Sequence, residues 1–159
     1  MIVAMSVAAA LASTGLAALN SALERQRLAS ATNELVTALH FARSEAVTRR
    51  MRVAVAANTP GDWAHGWKVF ADANDNGTFD DNEVALREST LPAQGTRITA
   101  HFGANYAGDV LSYDPTGVVR RPGNEGLVLG RISLSAGSET RTLCFASLRM
   151  RVVTSPRCS

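Results

Sequence analysis

The sequence predicts an α+β protein in which one long N-terminal helix packs on an antiparallel β-sheet. Residues 1–23 contain no charged side chain, and helical periodicity then continues without a proline to Arg50. From Met51 onward, short apolar runs are separated by Gly, Pro, Asn or Ser, which is typical of strands joined by turns. Because no helical segment lies between these runs, we expect the strands to pair in antiparallel fashion.

The first segment, residues 1–23, is rich in Ala, Leu and Val. About 20 apolar residues in a helix match the roughly 30 Å hydrocarbon core of a bilayer. A secretory signal peptide and a buried core helix are the alternatives, but the segment lacks a positive n-region and is long for a core helix. We expect a membrane anchor, although Arg25 and Arg27 would ordinarily favour a cytoplasmic C-terminal side.

The helix is expected to continue as an amphipathic stretch over residues 24–52. Apolar side chains recur there at steps of three, four and seven residues, which predicts one buried face. The residues of this stripe are Leu28, Ala31, Leu35, Ala38, Leu39, Ala42 and Ala46. Residues 53–159 are expected to form the β-domain that covers the stripe, and the chain is long enough for one such core.

The strands of this domain are predicted from short runs with β-branched or aromatic residues. They are Val53–Val55, Trp67–Asp72, Glu83–Glu88, Arg97–Phe102, Val110–Tyr113, Leu127–Ser135, Arg141–Ala146 and Leu148–Val153. Trp63 and Trp67 are interpreted as core or hairpin aromatics rather than as a ligand platform.

Charge is unevenly distributed along the chain, although the formal net charge is only +2. Acidic residues dominate between Asp72 and Glu88, whereas arginines outnumber acids by eight to four from Ser89 onward. A basic C-terminal half favours an anionic partner, but such asymmetry is also common on a solvated face.

The two cysteines, Cys144 and Cys158, lie near the C-terminus. They fit either one disulfide in an oxidising compartment or two separate thiols in a reducing cytosol. The expected membrane anchor at the other end of the chain favours the disulfide.

Several segments, in their order along the chain, resemble the GspH/FimT family of minor pilins and pseudopilins. They are Glu24–Leu28, Asn33–Val36, Ala42–Ala46, Gly66–Gly77, Tyr113–Gly117 and the cysteine pair around Leu148–Arg151. The resemblance implies a structural subunit of a type IV pilus or of a type II secretion pseudopilus, joined to other pilins through its N-terminal helix. It also implies a single-pass protein of the inner membrane, with its β-domain in the periplasm, that enters a filament on assembly.

The resemblance carries an expectation about the start of the chain. Family members begin with a short basic leader and a cleavage site followed by Phe-Thr-Leu-Ile-Glu, and Met1–Ala4 resembles the residues after that motif. We therefore expect the genuine N-terminus to lie upstream and the leader to be removed by prepilin peptidase. Positive charges in such a leader would orient the anchor with the β-domain outside the cytoplasm.

An acidic turn between two predicted strands matches the calcium-loop pattern D-x-[DN]-x-[DN]-G-x5-E. Its candidate ligands are Asp72, Asn74, Asn76, Thr78 (through its carbonyl), Asp80 and Glu83. The flanks are strands rather than the helices of an EF-hand, and Asn-Asp-Asn-Gly is also a hairpin-turn sequence. A calcium site and a solvated hairpin are thus the two interpretations, and no other cofactor is expected.

Two arginines near the C-terminus, Arg149 and Arg151, are expected on the same face of a strand because side chains alternate with a period of two. With Arg141 and Arg157 nearby, they could grip phosphates. In FimT-like proteins of natural transformation, a Gly-Arg-x-Arg motif near the C-terminus carries DNA binding, and here Leu148 replaces the glycine. The resemblance thus implies double-stranded DNA as an alternative partner, against a solvated strand face.

The sequence offers no catalytic arrangement. His40, His65 and His101 lack metal-ligand spacing, no serine lies in a nucleophile-elbow pattern, and neither cysteine adjoins a nucleophile motif. We therefore expect a structural protein rather than an enzyme.

Overall fold

The computed structural model describes residues 2–89, 95–102, 110–146 and 149–158, with side chains from residue 19 onward except those of 124 and 125. In these parts of the chain, one helix is followed by ten strands. The strands form two antiparallel sheets that share a core with the helix. The predicted α+β class, a long N-terminal helix on an antiparallel β-domain, is confirmed.

The helix α1 runs without a break over Ile2–Arg49. It ends where Arg50 adopts a left-handed conformation with a φ of 55°, a common way to terminate a helix. All seven residues of the predicted stripe are buried, and Leu35 and Leu39 have 0% of their surface exposed. The periodicity therefore identified the face that packs on the β-domain.

The strands occupy most of the chain after the helix. Their bounds are β1 Val53–Thr59, β2 Asp62–Ala71, β3 Val84–Glu88, β4 Arg97–Phe102, β5 Val110–Tyr113, β6 Val119–Arg121, β7 Asn124–Leu127, β8 Leu129–Ala136, β9 Glu139–Ala146 and β10 Arg149–Val153. The six-stranded sheet has the order β3-β2-β1-β5-β6-β7, and the four-stranded sheet has the order β10-β9-β8-β4. The division into two sheets arises because β4 pairs with the distant β8 and β5 pairs with β1.

The core lies between α1 and the inner faces of both sheets. Trp63 and Trp67 of β2 are 1% and 2% exposed and belong to this core, as expected. Phe102 and Phe145 of the four-stranded sheet meet edge to face, with ring centroids 6.0 Å apart, an arrangement that aromatic pairs prefer. The opposite face of the four-stranded sheet is thereby left outside the core.

The turn that joins β5 to β6 packs against the helix α1. The Asp114 carboxylate accepts hydrogen bonds from the Thr116 hydroxyl at 2.5 Å, from Arg120 Nε at 2.6 Å and from the backbone N–H groups of Thr116 and Val118. Burial by itself raises the pKa of Asp114, but these donors outweigh it and lower the pKa to about 2. Gly117, with a φ of 77°, lies so close to the helix that a Cβ there would be 3.0 Å from Arg43 Nε. The turn is thus a packed structural element.

Candidate functional sites

The first candidate site lies on β10, an edge strand of the four-stranded sheet. Arg149 pairs with Ala146 of β9, and Arg151 pairs with Cys144. Residues at i and i+2 on a strand share a face, and both arginine side chains are exposed. The register therefore brings these two predicted residues together.

The same face carries further basic residues on the neighbouring strands. Cys144 pairs with Arg131 of β8, and Arg131 pairs with His101 of β4. Because directly paired residues of antiparallel strands point to the same side, Arg151, Arg131 and His101 form one row across the sheet. The sequence did not predict this row, since it depends on the pairing of β4 with β8.

We call this side of the four-stranded sheet the outer face. Its residues are Arg97, Thr99 and His101 of β4; Leu129, Arg131, Ser133 and Ser135 of β8; Thr140, Thr142, Cys144 and Ala146 of β9; and Arg149, Arg151 and Val153 of β10. A contact of 3.2 Å between the Ser133 and Thr142 hydroxyls confirms that the strands share this side. The outer face contains no carboxylate, because Glu139 lies on the opposite side of β9, where it pairs with the core residue Ala136 of β8.

A disulfide joins Cys144 in the outer face to Cys158 in the C-terminal tail, with their Cα atoms 5.8 Å apart. This distance is within the normal range for a disulfide, and the predicted pairing is confirmed. The bond holds the tail over the outer face, where Cys158 lines a concavity of about 460 Å³ together with His101, Leu129 and Arg131. Arg157 precedes the bonded cysteine and is exposed.

Arg141 does not join the other three predicted arginines. It pairs with the buried Leu134 and lies on the core side of β9. Glu139 shares that side and forms an ion pair of 3.0 Å with Arg25 of the helix. Arg141 was expected to lie near Arg149 and Arg151, and this was wrong. The register of β9 against β8 places Arg141 on the inner side of the sheet, whereas Arg149 and Arg151 share the other side.

The second candidate site is the segment that links β2 to β3, and these two strands pair as a hairpin. Both oxygens of the buried Asp72 accept backbone N–H groups, Oδ1 from Asn76 at 3.1 Å and Oδ2 from Gly77 at 3.1 Å. Burial is the main cause of a raised pKa for Asp72, and the nearby Glu83 and Asp75 add to it. The segment therefore closes around Asp72 as a hydrogen-bonded turn.

The remaining predicted ligands in this turn also bond to one another. Oδ2 of Asp80 accepts from the amide nitrogens of Asn74 and Asn76, both at 2.8 Å. The Glu83 carboxylate accepts from the backbone N–H groups of Ala73 and Asp80, and the Asn76 amide oxygen accepts from the N–H of Thr78. Among the described residues, no group of three or more His, Cys, Asp and Glu side chains is placed to hold a metal. Calcium binding here stays a prediction.

The predicted membrane anchor, residues 1–23, lies mostly among residues whose side chains are outside the described set. Within the described residues, we find no helical stretch with both the length and the apolar character needed to cross a bilayer.

Comparison with known proteins shows a recognisable fold. The chain is similar to two crystal structures of the type IV minor pilin FimU of Pseudomonas aeruginosa strain PAO1. In space group P21 the sequence identity is 23% and the TM-score 0.59, over 82% of this chain and 90% of FimU. In space group P65 the values are 22% and 0.55, over 78% of this chain and 90% of FimU. Among curated proteins, none matches the chain.

The family described as type II transport protein GspH matches residues 31–149, which is well over half of the chain. The match includes the buried half of the helix, the hairpin of β2 and β3, the turn after β5 and the strands up to the start of β10. The chain therefore belongs to the GspH family of minor pilins and pseudopilins.

Proposed function

We propose that this protein is a minor pilin or pseudopilin subunit that assembles into a type IV pilus or a type II secretion pseudopilus. The observation that carries the proposal is that one part of the helix is buried by the protein's own β-domain, whereas apolar residues before that part are exposed. From Leu28 to Ala46 its apolar stripe is buried by the protein's own β-domain. Leu23 and Leu19, five and nine residues before Leu28, are 44% and 57% exposed. Apolar side chains of a helix that its own domain does not cover are suited to packing against the helices of neighbouring subunits.

The proposal includes a location and a processing step. Residues 1–23 would anchor the chain in the inner membrane, the helix would continue from residue 24 to its end at Arg49, and residues 53–159 would form the β-domain in the periplasm. The disulfide between Cys144 and Cys158 supports this location, because disulfides persist in oxidising compartments such as the periplasm. Prepilin peptidase would process the chain if its N-terminus lies upstream.

Replacing both Leu19 and Leu23 with Glu is expected to remove the protein from filaments. The two charges would be buried without partners between packed helices, which is costly. The measurement is the amount of the protein in sheared filaments, relative to the whole cell, in cells that also express the partner pilins. The control is Val84→Glu on the edge strand β3, where the parent side chain is 61% exposed. Equal recovery of the Leu19/Leu23 variant and the parent in filaments would contradict the proposal.

A second candidate function is DNA binding during uptake, and the outer face is the observation that favours it. Arg149 and Arg151 are exposed on an edge strand, and the face that they share carries no carboxylate. A basic surface free of acids attracts the phosphate backbone without selecting a sequence. The function would then be that of a receptor exposed on the filament.

Changing Arg149 and Arg151 together to Gln is expected to weaken binding to a short duplex DNA. Each lost phosphate contact should flatten the dependence of log affinity on log salt by about 0.9. Fluorescence anisotropy with the full chain in a non-ionic detergent measures both quantities. The double variant Arg49→Gln and Arg87→Gln removes the same charge elsewhere and should bind as the parent does. If the parent shows no binding at low salt, DNA uptake is excluded and the filament function stands alone.

A further inference from the structure

The turn between β2 and β3 contains the one Asn-Gly pair of the sequence, Asn76–Gly77. At such a pair the backbone nitrogen of the glycine can attack the side-chain amide carbon of the asparagine, because glycine has no Cβ to obstruct the approach. Asn76 is exposed, so water reaches its side chain. The groups needed for spontaneous deamidation are therefore present at this point of the chain.

The backbone nitrogen that would attack is held inside the turn. The Gly77 N–H donates to Oδ2 of Asp72 at 3.1 Å, and both residues are buried. Attack requires this nitrogen to lose its proton, and the negative charge of the Asp72 carboxylate disfavours an anionic nitrogen beside it. Oδ1 of the same carboxylate accepts the Asn76 N–H, also at 3.1 Å. Asp72 therefore fixes the two consecutive N–H groups on which the reaction depends.

The side-chain amide that would be attacked is held at both of its ends. Its oxygen accepts the Thr78 N–H at 2.6 Å, and its nitrogen donates to Oδ2 of Asp80 at 2.8 Å. Rotation of the amide toward Gly77 would break both hydrogen bonds, and the loss of each costs free energy. The nucleophile and its target are thus held by separate partners in the closed turn, and reaction requires the turn to open locally.

We propose that Asn76 is a deamidation site that the closed turn protects and that local opening exposes. In the open turn, the Gly77 nitrogen gives up its proton to hydroxide and bonds to the side-chain carbon of Asn76. The amide nitrogen takes up a proton from water and leaves as ammonia, which closes a succinimide ring. Water then adds to either carbonyl of the ring and leaves aspartate or isoaspartate at position 76. The step depends neither on filament assembly nor on DNA binding.

The product does not fit the turn that protected the asparagine. The Asn76 amide nitrogen lies 2.8 Å from Oδ2 of Asp80, and a carboxylate oxygen in its place would face another carboxylate at hydrogen-bond distance. Like charges this close repel each other, and Asp80 loses one of its two amide donors. Deamidation would therefore keep the turn open, and older copies of the protein would be distinguished from new ones by this turn.

The test is mass spectrometry of position 76 in the full chain, incubated in non-ionic detergent at mildly alkaline pH. We expect aspartate and isoaspartate to form faster in guanidinium chloride than in the folded protein. In the folded protein, Asp72→Asn leaves one N–H without its acceptor and Asp80→Ala frees the Asn76 amide. Each change should speed the reaction roughly tenfold, the effect on the opening equilibrium of one hydrogen bond to a charged group. The matched control is Asp81→Ala, an exposed acid of the same turn, which should react as the parent does.

The rates can overturn the proposal in three ways. Absence of product in the unfolded parent would refute the site itself. Equal rates in the folded and unfolded parent would refute protection by the turn. A slower reaction in Asp72→Asn would show that the carboxylate assists the attack rather than preventing it. Thermal unfolding identifies a variant that has lost its fold, and if Asp72→Asn has done so, Asp80→Ala and Asp81→Ala decide the comparison.

The variant Asn76→Asp tests whether the product opens the turn. In the closed turn, Phe79 packs on Phe70 with ring centroids 5.4 Å apart, and opening would release it. We expect chymotrypsin to cut after Phe79 roughly tenfold faster in Asn76→Asp than in the parent, in calcium-free buffer, because one hydrogen bond to a charged acceptor is lost. Cleavage at the rate of the parent would show that the turn accommodates the new charge, and the proposed opening would be wrong.

Discussion

Replacing Cys158 with Ser is expected to lower the free energy of unfolding by about 2–5 kcal/mol, the usual range for a native disulfide. The bond closes a loop across a sequence separation of 14, which contains the whole of β10. β10 is an edge strand that pairs only with β9 among the described strands, so the bond restrains a strand that has few other contacts. Without it, the unfolded chain gains conformational freedom and the C-terminal tail is released.

Urea unfolding measures this change, and the oxidation state provides its control. Cys144→Ser should lose the same stability as Cys158→Ser, because either change removes the same bond. Adding dithiothreitol should lower the parent to the level of the variants and leave the variants unchanged. If the oxidised parent and both variants unfold at the same urea concentration, the disulfide does not stabilise the fold.

Replacing Leu39 with Ala is expected to lower the free energy of unfolding by about 2–5 kcal/mol. Leu39 is 0% exposed and belongs to the core between the helix and the two sheets. The change removes buried apolar surface and leaves a cavity that the surrounding β-domain cannot fully close. Alanine is the best helix former, so the loss reflects packing rather than helix propensity.

The matched control is Leu23→Ala on the same helix, where 44% of the side chain is exposed. We expect this change to cost less than about 1 kcal/mol, because surface substitutions are usually nearly neutral. Chemical unfolding of the two variants beside the parent gives both values. A loss at Leu39 no larger than the loss at Leu23 would show that the stripe does not hold the helix to its domain.

Sequence patterns within one segment predicted the parts of the fold that depend on that segment alone. The spacing from Leu28 to Ala46 predicted the buried face of α1, because a period of 3.6 residues places those side chains on one side wherever the helix packs. The segment after β2 was recognised as a hairpin connection from Asn-Asp-Asn-Gly. The short strands β6 and β7 were largely missed, since Val119–Arg121 has only three residues and no alternating apolar pattern.

The same limits apply to the candidate sites. That Arg149 and Arg151 share a face follows from strand geometry and could be predicted. That Arg131 and His101 lie on the same face, and Arg141 on the other, follows from pairings between strands distant in the sequence. In the β2–β3 turn, the calcium-loop pattern specifies which oxygens are present, but it does not show that those oxygens accept hydrogen bonds within the turn.

By itself, then, the sequence predicted a long helix with one buried stripe and an antiparallel β-domain, favoured a C-terminal disulfide over two separate thiols and resembled a family of pilin-like proteins. Only the tertiary structure decided how the strands divide into two sheets, and which basic residues meet on the outer face. The physical reason is that side-chain periodicity is a property of each segment, whereas register is set by long-range pairing. A shift of one residue in that pairing would move Arg131 from the outer face to the core.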